Sequence, residues 1–132
     1  MIAVRAGRAF AGVAAMAVLL ASCGGGGGGD SAAYTEPKGP SIATISLDAS
    51  NFKYTPSTLD ASAGINTIKM TSQGGLHTLV FDNGKVPGFQ LEVAGSGDTQ
   101  SKKIDLKPGK YVFYCDIPGH RQQGMEGTIT VK

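Results

Sequence analysis

No apolar run in this chain is long enough to cross a bilayer. The longest, AFAGVAAMAVLLAS at residues 9–22, falls short of the roughly 18–20 residues that a spanning helix needs. Cysteine and histidine are scarce, with two of each in 132 residues. Charge of one sign is lacking too. The 12 basic and 10 acidic side chains differ only by Arg5 and Arg8, and beyond those the signs balance. No basic patch is left for nucleic acid. Residues 41–132 also lack any segment with the apolar 3.6-residue period of an amphipathic helix, which argues against a helical fold.

What is present at the N-terminus is a leader pattern. MIAVRAGR is basic without an acid, and the apolar run follows it directly, as in a secretory signal. The alternative, an uncleaved N-terminal anchor, requires a longer run than this one. Leu20-Ala21-Ser22-Cys23 resembles the lipobox of bacterial lipoproteins, which implies that Cys23 is acylated and becomes the first residue of the mature protein. An unbroken glycine run, Gly24 to Gly29, comes next, followed by DSAAYTEPKGP. Such a tract buries too little apolar surface to order itself, and as a random coil it would span about 20–25 Å. The expected plan is a signal peptide at 1–22, a lipidated cysteine and flexible linker at 23–40, and one folded domain at 41–132. The protein is then exported and lipid-anchored to a membrane facing the periplasm or the cell exterior.

The domain reads as all-β. ATISLDA, NFKYTPSTL and NTIKMTS alternate apolar and polar residues, and LHTLVFDNG ends in the hairpin-type turn signal Asp82-Asn83-Gly84. SKKIDLKPGKYVFYC turns at Pro108-Gly109 and then sets Tyr111, Phe113 and Cys115 on one face; EGTITVK closes the chain. Six to eight short strands in such a length predict a two-sheet antiparallel sandwich. Residues 86–100 (VPGFQLEVAGSGDTQ) read as a loop with a strand or turn inside it.

The remaining question is what CDIPGHRQQGM, residues 115–125, is for. If Cys23 carries lipid, Cys115 has no disulfide partner and is a lone thiol in an oxidising compartment, unless a metal occupies it. Taken singly, Cys115 and Met125 read as core residues and either histidine as a turn or core residue. Taken together, His77, Cys115 and His120 offer two imidazoles and a thiolate, with the Met125 thioether as a weak fourth donor. That mixture suits copper, and it fits poorly with structural zinc, which uses cysteine, histidine and carboxylate. Met70 reads as core, Tyr111, Phe113 and Tyr114 as core and sheet, Asp116 and Arg121 as solvated loop charges, and Gly74-Gly75 as a loop conformation.

At these residues the chain resembles the cupredoxins, the type 1 blue copper family that includes plastocyanin, azurin, halocyanin and auracyanin. The resemblance rests on FKYTP, the His77 strand, LKPGKYVFYC, and C-x4-H-x4-M before GTITV, and covers most of residues 42–132. It implies a Greek-key β-sandwich holding one copper ion, with His77, Cys115 and His120 equatorial and Met125 axial. It also implies a surface-lying His120 that passes electrons to redox partner proteins such as c-type cytochromes or a membrane electron-transport complex. The chain departs from the family in Thr78, where an asparagine often follows the first histidine, and in the polar character of GHRQQGM. A copper oxidase or nitrite reductase would need histidines beside Cys115, whose neighbours are Tyr114 and Asp116, and a binuclear site would need a second nearby cysteine. The expectation is a monomeric one-electron carrier and not an enzyme; a copper carrier without an electron-transfer role uses the same ligands and stays open.

Overall fold

The computed structural model describes residues 33–132. Alternation along each segment sets one face of every longer strand against the core. β1 (Ala43–Ser50) buries Ile45, Leu47 and Ala49 and exposes the residues between them. β2 (Lys53–Thr55) and β3 (Thr58–Ala61) are short; β4 (Gly64–Ser72) buries Asn66, Ile68, Met70 and Ser72. β5 (Leu76–Phe81), β6 (Gln90–Ala94) and β7 (Thr99–Leu106) contribute Leu79, Phe81, Leu91, Val93, Ile104 and Leu106. β8 (Gly109–Tyr114) and β9 (Glu126–Val131) add Tyr111, Phe113, Ile129 and Val131. A period of two with one apolar face is what a strand in a two-layer sandwich requires.

The two sheets run β2-β1-β4-β7 and β3-β9-β8-β5-β6, and the chain passes between them repeatedly. The all-β sandwich is as the sequence predicts, but the sheets are mixed where antiparallel ones were expected. β1 lies parallel to β4, with Ile45 opposite Ile68, and β3 lies parallel to β9, with Leu59 opposite Ile129. Alternation fixes which face is buried and carries no information on strand direction, so the sequence pattern could not report this. Nine strands form among the described residues, against six to eight expected. The excess arises in NFKYTPSTL, which splits: β2 pairs with β1, and β3 crosses to the other sheet.

Two loop readings also change. Asp82–Gly84 forms a short 3-10 turn, with Asn83 at φ 54°, that opens a longer connection to β6 in place of a two-residue hairpin. Residues 86–100 supply β6 and the first residues of β7. Residues 34–39, expected to belong to a flexible tether over 23–40, are fastened to β7, the edge strand of its sheet; residues 23–32 lie outside the described residues. Tyr34 donates to the Lys103 carbonyl (2.7 Å) and meets the Phe89 ring edge-on at 5.0 Å. The Lys103 N–H donates to the Glu36 carboxylate (2.9 Å), and its ammonium to the Gly39 carbonyl (2.7 Å).

The 115–125 loop is tied down from outside. Arg121, expected to be a solvated loop charge, stacks 4.0 Å over the Tyr114 ring. It also donates to Asp82 (3.0 Å) and Glu126 (2.7 Å). The guanidinium bonded to Asp82 holds that carboxyl below its ordinary range. Both partners are about one-third exposed, which limits the strength of the pair in salt.

Two outcomes follow from this packing. Gly127 on β9 faces the Phe113 ring and the Ser57 carbonyl, and a Cβ there would stand 2.6 Å from that oxygen. Gly127→Ala is expected to destabilise by about 2–3 kcal/mol, read as a lower urea midpoint at unchanged m-value. Asp82, with its folded pKa depressed, contributes stability that is fully present above the unfolded value of 3.8 and lost as pH falls through the folded one. Asp82→Asn should therefore lose less stability than the parent between neutral pH and about pH 3 in urea titrations.

Candidate metal centre

Three donor side chains meet at one end of the sandwich. His77 is the second residue of β5, Cys115 follows the last residue of β8, and His120 lies in the loop that returns to β9. Their ligand atoms all lie within 4.8 Å of one another.

His77 is fully buried, and its ring is oriented by the turn that precedes it. Gly74, at φ 144°, turns its carbonyl back so that it accepts from His77 Nε2 at 2.8 Å. The Ser72 hydroxyl holds this turn by donating to the Gly75 carbonyl (3.0 Å) and accepting from the Gly74 N–H (3.1 Å). With the proton on Nε2, Nδ1 keeps its lone pair, and that buried atom has no hydrogen-bond partner. A buried acceptor left unpaired is costly, and a bound metal ion removes the cost. This orphaned nitrogen is the observation by which the residues fit an ion.

Cys115 is fully buried and has no cysteine partner among the described residues. Its Sγ accepts from the Thr78 N–H at 3.4 Å, with the Thr78 hydroxyl 3.5 Å away. His120 presents Nδ1 to the same sulfur at 3.5 Å. The loop between them is closed by its own backbone. His120 N–H donates to the Ile117 carbonyl, Met125 N–H to the His120 carbonyl, and Cys115 N–H to the Met125 carbonyl, each at 3.1 Å. Gly124, at φ 105°, makes the bend that lets Met125 point inward, where it is fully buried. His120 is half-buried, stacked edge-on against Phe52 at 5.1 Å and 5.5 Å from the His77 ring. The structure thus brings together His77, Cys115 and His120 and places Met125 at the base of their loop. Cys23 lies outside the described residues.

Several contributors were not legible in the sequence. Asp116, exposed as expected of a solvated loop charge, also accepts from the Thr78 hydroxyl at 2.5 Å and donates its N–H to the same oxygen at 3.0 Å. The register that sets Val80 opposite Tyr114 brings Thr78 beside Asp116, and a register is not written in either segment alone. Tyr54 donates to the Thr78 carbonyl at 2.5 Å. Burial pushes the Tyr54 hydroxyl pKa up, and the Cys115 and Asp116 charges push it the same way, so it stays a donor. Phe52, read as part of an alternating strand, instead takes φ 66° in the turn before β2. The family resemblance singled out Thr78 by its place after His77.

Two imidazole nitrogens and one thiolate suit copper in either oxidation state. The comparisons with known proteins agree. The family described as copper binding proteins, plastocyanin/azurin family, matches residues 42–132. Chloroplastic plastocyanin of Pisum sativum is 34% identical over 88 residues, 59% of this chain and 51% of the pea protein. Plastocyanin of Scenedesmus fuscus is 30% identical over 96 residues, 67% of this chain and 95% of the algal protein. Azurin of Pseudomonas fluorescens biotype C is 40% identical over 45 residues, 31% of this chain and 34% of the azurin. The chain spans about half the length of the chloroplastic plastocyanins it matches. Among solved structures, dithionite-reduced auracyanin of Roseiflexus castenholzii superposes with a TM-score of 0.58 at 22% identity. It covers 70% of this chain and 99% of the auracyanin, a likeness of fold. Over residues 42–132 the chain belongs to the plastocyanin/azurin family of copper binding proteins, with His77, Cys115 and His120 as its candidate copper site.

Proposed function

We propose that this protein is a membrane-anchored carrier of single electrons and not an enzyme. It would hold one copper ion through His77 Nδ1, Cys115 Sγ and His120 Nδ1, with the Met125 thioether as a weak fourth ligand. The observation that carries the reading is the orphaned Nδ1 of His77, held in the ligating tautomer beside a buried thiol. Copper, when bound, supplies the one-electron change between Cu(I) and Cu(II).

The protein's own residues supply rigidity, exclusion of water and an exit. Three ligands come from a strand, a strand end and a loop closed by its own hydrogen bonds, so little has to move when charge changes. His77 and Cys115 are sealed from solvent, which protects the thiol from oxidation and leaves no room for a substrate. His120 is the half-buried ligand, and its exposed edge beside Phe52 is the natural contact for a redox partner such as a c-type cytochrome. The copper set uses both histidines of the chain, leaving none for a second, catalytic copper. The lipobox-like Leu20-Ala21-Ser22-Cys23 and the glycine run after it support export and attachment, through a lipid on Cys23, to a membrane surface facing the periplasm or cell exterior, with the protein a monomer.

The test is the visible spectrum of the Cu(II)-loaded chain. An intense blue thiolate-to-copper band is expected; it should vanish in Cys115→Ser and persist in Met125→Leu with a more positive reduction potential. Electron exchange with a c-type cytochrome then completes the assignment. A colourless protein that still binds Cu(I) would leave a copper carrier in its place. The anchoring is checked by fractionation, with Cys23→Ser expected to leave the membrane fraction.

A further inference from the structure

The Thr78 hydroxyl has one hydrogen and two acceptors within reach. Asp116 Oδ1 lies 2.5 Å from Thr78 Oγ1, and Cys115 Sγ lies 3.5 Å from it. An O–H donated to a carboxylate at the first distance is a strong charge-assisted bond, whereas the sulfur contact is long and weak. The proton therefore sits toward Asp116. The Asp116 N–H donates back to Thr78 Oγ1 at 3.0 Å, which occupies a lone pair and holds the arrangement closed. Thr78 itself cannot shift to serve both acceptors. It is 3% exposed, its N–H is directed at Cys115 Sγ, and its carbonyl accepts from the Tyr54 hydroxyl. Only the hydroxyl can rotate. Among the described residues, the backbone donor left on the Cys115 sulfur is the Thr78 N–H at 3.4 Å.

We propose that Asp116 is a positioning residue that lowers the reduction potential of the site by withholding the Thr78 hydroxyl proton from the Cys115 sulfur. The inference rests on the copper reading above. A hydrogen bond to a thiolate draws off electron density that the sulfur would otherwise give to an oxidised metal, so each added donor favours the reduced state. Asp116 acts by keeping one such donor occupied. Its carboxylate charge is a rival cause with the same sign. Asp116 is exposed, and water screens that charge, whereas Thr78 and the sulfur are buried and unscreened.

A double-mutant cycle on the copper-loaded full chain separates the two causes. Asp116→Ala frees the hydroxyl to turn to the sulfur, 3.5 Å away in the parent. The midpoint potential should become more positive, by about a tenfold change in the redox equilibrium constant, or about 59 mV for one electron. Thr78→Val alone should leave the potential close to that of the parent, since the proton it removes was not on the sulfur. In the Thr78→Val background, Asp116→Ala should then produce almost no shift. Thr78→Ala replaces the valine variant if that one does not fold. An Asp116→Ala shift that persists undiminished without the hydroxyl would assign the effect to charge and overturn the proposal. A blue protein whose potential ignores Asp116→Ala would overturn it while leaving the copper reading intact. A parent chain with no blue band would remove both.

Discussion

The imidazole of His77 donates from Nε2 to the Gly74 carbonyl 2.8 Å away, and that bond commits the only proton a neutral ring carries. Everything else at this end of the sandwich is arranged around the nitrogen thereby left free. The turn at Gly74 exists to aim the carbonyl, and Ser72 exists in its buried position to hold the turn. Thr78, the next residue, spends its N–H on Cys115 and so ties the His77 strand to the second residue of the candidate site. A single short piece of β5 thus fixes a tautomer, a ring orientation and the place of a sulfur. The rest of the loop closes on that frame through backbone bonds that do not depend on its polar side chains.

This dependence explains which features the sequence displayed. Chemistry-bearing residue types at C-x4-H-x4-M spacing are visible in a one-dimensional string, because loop closure is local. So is alternation, which goes with the reading of Met70 and Phe113 as core, both of them buried. Strand direction and register are relations between segments far apart in the chain, and both were illegible. The mixed pairing of β1 with β4 and of β3 with β9 was missed for that reason, and so was the meeting of Thr78 with Asp116. An aspartate and an arginine flanking ligands look like solvated charges until register supplies their partners.

The boundary of the folded unit shows the same limitation. DSAAYTEPKGP has the composition of a linker, yet Tyr34, Glu36 and Gly39 cap backbone and side-chain groups of Lys103 on an edge strand. An unpaired strand edge invites association with other chains, and a fastened strap blunts it. One aromatic residue in a polar tract was enough to convert part of it into structure, because Tyr34 finds the Phe89 ring as well as a carbonyl. Composition averages over such a residue; packing does not.

Rigidity at the ligand loop carries a cost that the outer contacts offset. Between Ile117, packed against the core, and the buried Met125, the loop has Gln122 and Gln123 exposed and Arg121 half-buried, so that stretch has little apolar surface for the core to hold. Arg121 substitutes for that anchorage by bridging Asp82 on one side and Glu126 on the other while lying flat on Tyr114. Guanidinium planarity makes this possible, since a lysine could satisfy one carboxylate but neither stack nor bridge in the same way. The same residue leaves the loop polar next to His120, so a partner docking there under the proposed function would meet hydrogen-bonding and charged groups more than apolar surface. Under the proposed electron-carrier function, polar contacts that pair and release readily suit a partner that docks, exchanges an electron and leaves.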